Sequence, residues 1–349
     1  MAGEVTNIAE VANKVAEDIF HWFKWEKIEV MDENFKCHKV DQHKKSGKRK
    51  KTENVSHTHP VDVVFKYFDP YLNKCVLLNT DLKSYSVSSI TTAKIKEALI
   101  SLAKTIDCAR SSSEWNEKYV LDNCSYEVRG LLFIYNYDEK YDKDFMRHFK
   151  NINTEKLSIK ENQTVHFIEP SRIRYLSTVV SDMNKLYAMN EFPRENYSFL
   201  YPDLYLHKAH GDPYEYPASI EMLCSPYMIL KHGQFKVINE RTDDVETVCQ
   251  EGGYVIYYNQ DGSTEYEFIY LFDSLSRFQI LSGNSTIKIR VAHHSPCKDI
   301  KSNYRKAINL YVSSWGYDDY KRKDLERIEL EVVTKVVPNY NPGILAWRY

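Results

Sequence analysis

Two aspartates and a lysine near the start of the chain are spaced so that they can act on one ligand. Asp62 opens the apolar, aromatic run 62–68, and Asp81 and Lys83 close the run 75–83. Both runs are rich in β-branched and aromatic residues, and a turn containing Pro and Asn separates them, which predicts two paired strands. We therefore expect a hairpin that brings Asp62 towards Asp81 and Lys83.

This arrangement suits metal-assisted chemistry on a phosphodiester. Side chains alternate between the faces of a strand, so Asp81 and Lys83 share one face. Carboxylate and carbonyl oxygens are ligands for Mg²⁺, and we predict that Asp62, Asp81 and the Leu82 carbonyl hold Mg²⁺ or Mn²⁺. The metal would polarise the phosphate and lower the pKa of a bound water, while Lys83 orients or activates that water or stabilises developing charge. The alternative is a surface hairpin whose charged side chains are simply solvated.

The elements that must position this hairpin are predicted on either side of it. Apolar residues at helical spacing predict a first helix, and runs of apolar residues predict the flanking strands. The predicted elements are a helix over 7–24, a strand over 25–31, the hairpin, a helix over 91–110 and a strand over 128–137.

This order, together with the spacing of the acids and the lysine, resembles the PD-(D/E)xK nuclease superfamily of restriction-endonuclease-like proteins. The stretch Asp81-Leu82-Lys83 matches the acid-x-Lys part of the family motif, whereas Val61 separates Pro60 from Asp62. The resemblance covers about residues 1–150. It implies an αβββαβ core and a Mg²⁺-dependent nuclease, with Asp62, Asp81 and Lys83 as the catalytic residues.

The family often takes a further metal ligand from a glutamate of the first helix. Glu10 and Glu17 lie seven residues apart and therefore on nearly the same helical face. We favour Glu17, which is nearer the end of the helix that leads into the first strand. The alternative is that both are solvated helix residues.

Nucleic-acid contacts are predicted next to the acidic pair. A segment with six basic residues and no acid precedes Asp62, and we interpret it as a phosphate-binding arm or as a solvated loop. His59, Ser89 and Lys94 are further candidates, the last two because they flank the start of the predicted helix 91–110. For His59 and Lys94 the alternatives are a loop histidine and an ordinary surface lysine. The basic residues are Lys44, Lys45, Lys48, Arg49, Lys50 and Lys51.

Length and composition predict two domains with an α/β (α+β) fold. The chain has 349 residues, 43% of them hydrophobic, and a net charge of -2, which excludes a uniformly basic nucleic-acid binder. We assign residues 1–150 to the nuclease-like domain and 160–349 to a second mixed, strand-rich α+β domain for recognition, regulation or partner binding. Between and within them we predict a helix and connection over 138–161, a strand over 164–168, helices over 173–189 and 303–314, pieces of a mixed, strand-rich sheet around 218–230, 254–258, 267–272 and 286–291, and a strand or helix over 327–337.

Seven scattered cysteines without a Cys-x-x-Cys pair predict reduced, mostly buried thiols. The sequence has no signal peptide and no long apolar run, so we expect a cytoplasmic protein without a membrane contact. It also lacks a Walker loop, a Gly-x-Gly-x-x-Gly motif and a Ser-His-Asp signature.

Three functional hypotheses follow. The first is a divalent-metal-dependent endonuclease acting on DNA, with RNA not excluded, that resembles bacterial restriction and antiphage-defence effectors and is controlled by its C-terminal domain. The second is a catalytically silent subunit that uses the nuclease fold to bind nucleic acid or protein. The third is another metal-dependent enzyme in which Asp-x-Lys occurs by chance. A homodimer, or a protein partner bound through the C-terminal domain, fits the first two.

Overall fold

The computed structural model describes residues 8–43, 57–120, 124–150, 152–202, 204, 216–239, 246–282, 285–334, 337 and 340–342. The chain divides into two compact units. The N-terminal unit comprises Met1–Ile173 and Asn339–Tyr349, and the C-terminal unit comprises Arg174–Pro338. In the described part of the chain, no helix is both long enough and apolar enough to cross a membrane.

The N-terminal unit contains the predicted hairpin between helices. Its elements are α1 (Ile8–Asp18), β1 (Glu26–Lys27), β2 (Glu33–Lys36), α2 (Val40–His43), β3 (Thr58–Val61), β4 (Val63–Asp69), β5 (Lys74–Tyr85), α3 (Thr92–Ala109), α4 (Ser113–Tyr119), β6 (Tyr126–Asn136) and β7 (Val165–Ile168). Short 3-10 turns lie at Phe20–Phe23, Phe145–His148 and Thr154–Leu157.

The main sheet of this unit has the strand order β1-β4-β5-β6-β7. β1, β4 and β5 are antiparallel neighbours, whereas β5, β6 and β7 run parallel. α3 makes the crossover from β5 to β6 that a parallel pair requires. β2 and β3 form a separate antiparallel ribbon. The αβββαβ core predicted from the sequence is confirmed.

The long central strand is held by the packing of α3. Thr91 accepts a hydrogen bond from the Lys94 amide and so caps this helix. The helix buries Ile95, Leu99, Leu102 and Ile106, which recur at helical spacing. The same core contains Leu77 from β5 and Leu132 and Ile134 from β6. One face of β5 is therefore fixed against α3.

The C-terminal unit is a second mixed α/β layer structure, as predicted. It begins within α5 (Pro170–Ala188) and contains β8 (Tyr197–Phe199), β9 (Tyr227–His232), β10 (Phe235–Asn239), β11 (Glu246–Gln250), β12 (Gly253–Tyr258), β13 (Thr286–Val291) and β14 (Glu329–Val332). Its described helices are Ile220–Cys224, Glu265–Arg277, Ile300–Trp315 and Asp319–Glu326, with a 3-10 turn at Ile280–Ser282.

The main sheets of the two units have the same strand order. The C-terminal sheet is ordered β8-β9-β12-β13-β14, with β8, β9 and β12 antiparallel and β12, β13 and β14 parallel. A helix precedes the first strand, and the helix Glu265–Arg277 connects the first parallel pair. Each unit is thus built on the same αβββαβ sequence of elements.

Several local predictions were wrong. The predicted helix 7–24 ends at Asp18, and the chain then forms the 3-10 turn Phe20–Phe23, which closes at Lys24 in a left-handed conformation with φ 59°. The predicted strand 25–31 is reduced to the two residues of β1. Residues 267–272 are helical and not a strand, since Glu267 accepts from the Thr264 amide and caps the helix Glu265–Arg277. Two 3-10 turns replace the helix predicted over 138–161.

Candidate active site

Asp62 lies where the chain passes from the small ribbon into the main sheet. Val61 pairs with Glu33 of β2, and Val63 pairs with Thr80 of β5. Asp62 belongs to neither strand, and its backbone carbonyl accepts a hydrogen bond of 2.9 Å from the Asp32 amide. The half-buried side chain reaches β5, where one carboxylate oxygen accepts from the Leu82 amide at 2.7 Å.

Asp81 and Lys83 lie on the part of β5 that continues past its pairing with β4, which ends at Val63 and Thr80. On its other edge β5 stays paired with β6 as far as Tyr85. The Asp81 carboxylate and the Lys83 amine form an ion pair, with side-chain exposures of 17% and 34%. The alternation of β5 puts both side chains on the face of Asn79, which accepts a hydrogen bond from the Trp115 indole at 3.2 Å. The structure therefore brings Asp62, Asp81 and Lys83 together on the α3 side of the sheet.

The electrostatics of this group reflect two carboxylates held side by side. Burial raises the pKa of Asp62, and the negative charge of Asp81 raises it further, to about 7. The Leu82 amide and the Lys83 charge act in the opposite direction and compensate only in part. Burial lowers the pKa of Lys83, but the charge of Asp81 and the hydrogen bond to it outweigh burial and raise it overall. Lys83 is therefore an ammonium, and a positive charge at the site would lower the cost of ionising both acids.

Tyr85 and Lys94 extend this face beyond Lys83. Tyr85 follows Lys83 by two residues, and the Lys94 ammonium lies 5.5 Å from the centre of its ring. Burial raises the pKa of the Tyr85 phenol, which also experiences the charges of Lys83 and Asp81. The predicted residue Lys94 thus contacts Tyr85, which lies two residues after Lys83 on β5. Tyr85 was missed in the sequence, although the period of two that paired Asp81 with Lys83 also includes it.

Ser89 lies in the turn that leads into α3. Its amide donates to the Ser86 carbonyl at 2.9 Å, and its hydroxyl accepts from the Ser86 hydroxyl at 3.1 Å. Thr91, and not Ser89, is the helix cap. Ser89 is half-buried and contributes to the shape of this turn.

Glu17 is an exposed residue of α1, on the other face of the sheet. The segment after α1 packs through Phe20 on Phe65 and Phe133, whose side chains face away from α3. The charge of Glu17 acts on Tyr340, whose hydroxyl donates to Asp18 at 3.0 Å. Among the described residues, Glu17 does not join Asp62 and Asp81 in a group whose ligand atoms all lie within 4.8 Å. The structure thus does not bring it to the two aspartates.

The predicted nucleic-acid contacts have different positions. Lys44, Lys45, Lys48, Arg49, Lys50 and Lys51 lie outside the described residues. His59 is only 4% exposed, and its ring faces His43 and the thiols of Cys37 and Cys108. It also lines an open cleft with Pro60, Lys96 and Lys104, and its contact with nucleic acid stays a prediction.

A mixed sheet in this order, with two acids and a lysine at the end of its central strand, defines the class of restriction-endonuclease-like domains. Residues 1–172 match the family model described as the GAPS4 protein PD-(D/E)XK nuclease domain. This part of the chain is a PD-(D/E)XK nuclease domain, which supports a nuclease-type function. Neither the curated proteins nor the solved structures include a match.

The sheet of the C-terminal unit repeats the strand order of the N-terminal sheet, but its sequence differs at the central strand. Its strand β12 corresponds to β5 in order and orientation, and Tyr254, Ile256 and Tyr258 face the crossover helix. The stretch 253–262 contains no Asp-x-Lys. The Tyr258 hydroxyl donates to Glu267 of that helix at 3.0 Å. Aromatic and aliphatic packing thus covers this face of β12, and Glu267 and Asp261 lie beside its end.

Proposed function

We propose that the N-terminal unit is a Mg²⁺- or Mn²⁺-dependent endonuclease that hydrolyses phosphodiester bonds in DNA. The observation that carries this proposal is the meeting of Asp62, Asp81 and Lys83 at the end of β5. Asp62 lies between β3 and β4, whereas Asp81 and Lys83 lie on β5. A chance Asp-x-Lys would therefore not account for the hydrogen bond between Asp62 and the Leu82 amide.

The residues present fit a divalent cation. Burial and, next, the charge of the neighbouring Asp81 raise the pKa of Asp62, and a cation at this place would offset both effects. The Leu82 amide points to Asp62, and the carbonyl of the same residue lies on the same edge of the strand. Asp62, Asp81 and the Leu82 carbonyl would hold the ion, which supplies charge neutralisation and activation of a water molecule.

The other roles belong to the side chains themselves. The ion pair with Asp81 keeps Lys83 protonated, so Lys83 serves as a hydrogen-bond donor to the water or to a phosphate oxygen and not as a general base. Asp81 fixes the position of this amine. Lys94, beside Tyr85, adds positive charge where the next phosphate of the strand would lie.

Cleavage assays with metal test the assignment. The full chain is incubated with plasmid DNA, single-stranded DNA and RNA, each with Mg²⁺, Mn²⁺ or EDTA. Asp62→Asn, Asp81→Ala and Lys83→Met should each lower the cleavage rate by about 10²–10³-fold. The exposed residues Asp142 and Lys143 provide matched controls, and Asp142→Ala and Lys143→Met should cut as wild type does.

The result also separates the main alternatives. Metal-dependent cutting of RNA alone would reject DNA as the substrate. Tight binding of DNA without cutting, and with no change in Asp81→Ala, would favour a silent binding subunit. Turnover by all three active-site variants at the wild-type rate would reject the site.

We further propose that the protein is a cytoplasmic defence-type effector whose cutting is controlled by the C-terminal unit. This unit repeats the scaffold without the acids, which suits target or partner recognition better than a second cut. Cells expressing wild type should resist phage infection, whereas cells expressing Asp81→Ala at an equal level should not. Equal plaque counts for wild type, Asp81→Ala and empty vector over a panel of phages would contradict this role.

A further inference from the structure

Four side chains from four separate elements meet in the interior of the N-terminal unit, away from the acidic pair. They are Cys37, which follows β2, His43 at the end of α2, His59 in β3 and Cys108 near the end of α3. All four are buried, with exposures of 7%, 6%, 4% and 0%. One ligand atom from each lies within 4.8 Å of the other three.

The distances agree with a tetrahedral metal site. The two sulfurs are 3.8 Å apart, His43 Nδ1 is 3.4 Å from each of them, and His43 Nδ1 is 3.3 Å from His59 Nε2. Zinc bonds of about 2.3 Å to sulfur and about 2.0 Å to nitrogen, at tetrahedral angles, give separations of about 3.8 Å, about 3.5 Å and about 3.3 Å for the same pairs.

Hydrogen bonding alone does not satisfy this group. The Nδ1 atom of His43 has one lone pair or one hydrogen, yet it faces Cys37, Cys108 and His59 at once. Its other nitrogen, Nε2, is 3.3 Å from the Asp107 carboxylate. A carboxylate on the far nitrogen of a histidine is the arrangement that orients metal-bound imidazoles, and it directs the Nδ1 lone pair into the group.

We propose that Cys37, His43, His59 and Cys108 bind a structural Zn²⁺ ion, with Asp107 as the residue that orients His43. Two thiolates and two imidazoles in a tetrahedral, buried set favour zinc over hard cations such as Mg²⁺, which prefer oxygen. No coordination position is left open to solvent, so the ion has a structural role. It is distinct from the divalent cation proposed at Asp62 and Asp81.

The proposed zinc site connects the β2–β3 ribbon and α3 to the segment that carries Asp62. Cys108 anchors it to α3, and His59 lies in β3, three residues before Asp62. Since β3 leads directly into the junction that presents Asp62, the zinc would hold that junction against α3.

Metal content is the direct test. The full chain is purified under reducing conditions, incubated with zinc and desalted, and the metals are measured by mass spectrometry. Wild type and Cys75→Ser should each hold one zinc per chain, since Cys75 is buried outside the group. Cys37→Ser and Cys108→Ser should lose it. Replacement of zinc by Co²⁺ should give the visible absorption of a tetrahedral, thiolate-bound ion in wild type.

Variants that keep four metal-binding side chains in the group guard against misfolding. Asp107→Asn should weaken zinc binding by about 10–100-fold in competition with a chromogenic chelator. Lys160→Met also removes an ion pair with Asp107 but leaves the contact with His43, and should bind zinc as wild type does. His59→Cys should keep the metal, because thiolate replaces imidazole in such sites.

Three results would overturn the site. The first is wild-type protein that retains no zinc after incubation. The second is zinc retention in Cys37→Ser and Cys108→Ser equal to that in Cys75→Ser. The third is a disulfide between Cys37 and Cys108 in protein kept under reducing conditions. Because these readouts do not use cleavage, they stand whether or not the nuclease assignment holds.

Discussion

Replacing Asp62 by Asn tests how the two aspartates interact in the folded domain. Asn keeps the size of the side chain and can still accept the hydrogen bond from the Leu82 amide. It removes the negative charge that faces Asp81. A protein that has arranged these acids for a cation should therefore become more stable on this substitution, while it loses activity.

The expected magnitude follows from the pKa of Asp62. Burial and then the charge of Asp81 raise it from 3.8 to about 7. Because the folded state holds the proton more tightly, the stability contribution is fully present below about pH 4 and is lost as the pH rises through about 7. A shift of about three units corresponds to at most about 4 kcal/mol. Asp62→Asn should thus gain up to about 4 kcal/mol over wild type at about pH 8, and nothing at about pH 4.

Denaturant unfolding of the full chain measures this difference across the pH range, in buffer without added Mg²⁺. Asp142→Asn, which changes an exposed acid of the same unit, should track wild type at every pH. Adding Mg²⁺ at about pH 8 should stabilise wild type and leave Asp62→Asn unchanged. A gap between Asp62→Asn and wild type that stays constant with pH, or a variant that is less stable at about pH 8, would refute the reasoning.

Two buried polar contacts give further predictions for unfolding measurements. Trp115→Phe leaves the buried Asn79 oxygen without its indole donor and should cost about 1–3 kcal/mol. Tyr119→Phe should be nearly neutral, since this hydroxyl has no hydrogen-bond partner among the described residues. In the C-terminal unit, Asp182→Ala breaks the two-pronged ion pair of the buried Arg290, leaves it only its exposed partner Glu331, removes the acceptor of the Tyr257 hydroxyl, and should cost about 3–5 kcal/mol. Asp182→Leu combined with Arg290→Met should cost less than Asp182→Ala, and an equal or larger loss would contradict this.

The hairpin and the helix after it were predictable because local pattern and tertiary packing agree there. Alternation in 62–68 and 75–83 matches the pairing of β4 with β5, and the apolar spacing of 91–110 matches the buried face of α3. The strand predicted over 267–272 was wrong because two local patterns disagree there. The aromatic content of these residues favours a strand, but Phe268, Leu271, Phe272 and Leu275 recur at helical spacing and are buried together.

The cysteine and histidine group illustrates what sequence spacing cannot predict. Cys37 and His43 are close in the chain, but Cys108 lies 71 residues beyond Cys37 and enters from a helix. Only the packing of α3 on the sheet brings them together, so the usual short Cys-x-x-Cys spacing is absent. The position of Glu17 also depends on tertiary packing. Helical spacing put it on a common face with Glu10, but the side of the sheet on which α1 packs could not be predicted from its residues.

The two units of the chain share the αβββαβ order of elements, a similarity that their composition does not show. Both place a strand in the centre with an antiparallel neighbour on one edge and a parallel neighbour on the other. In the first unit the end of that strand carries Asp81 and Lys83, which cost stability because charge is partly buried. In the second unit the corresponding face carries Tyr254, Ile256 and Tyr258, which stabilise the core. Among the described residues, the group of two acids and a lysine is thus a feature of the N-terminal unit, which is why the proposed cutting is assigned to that unit.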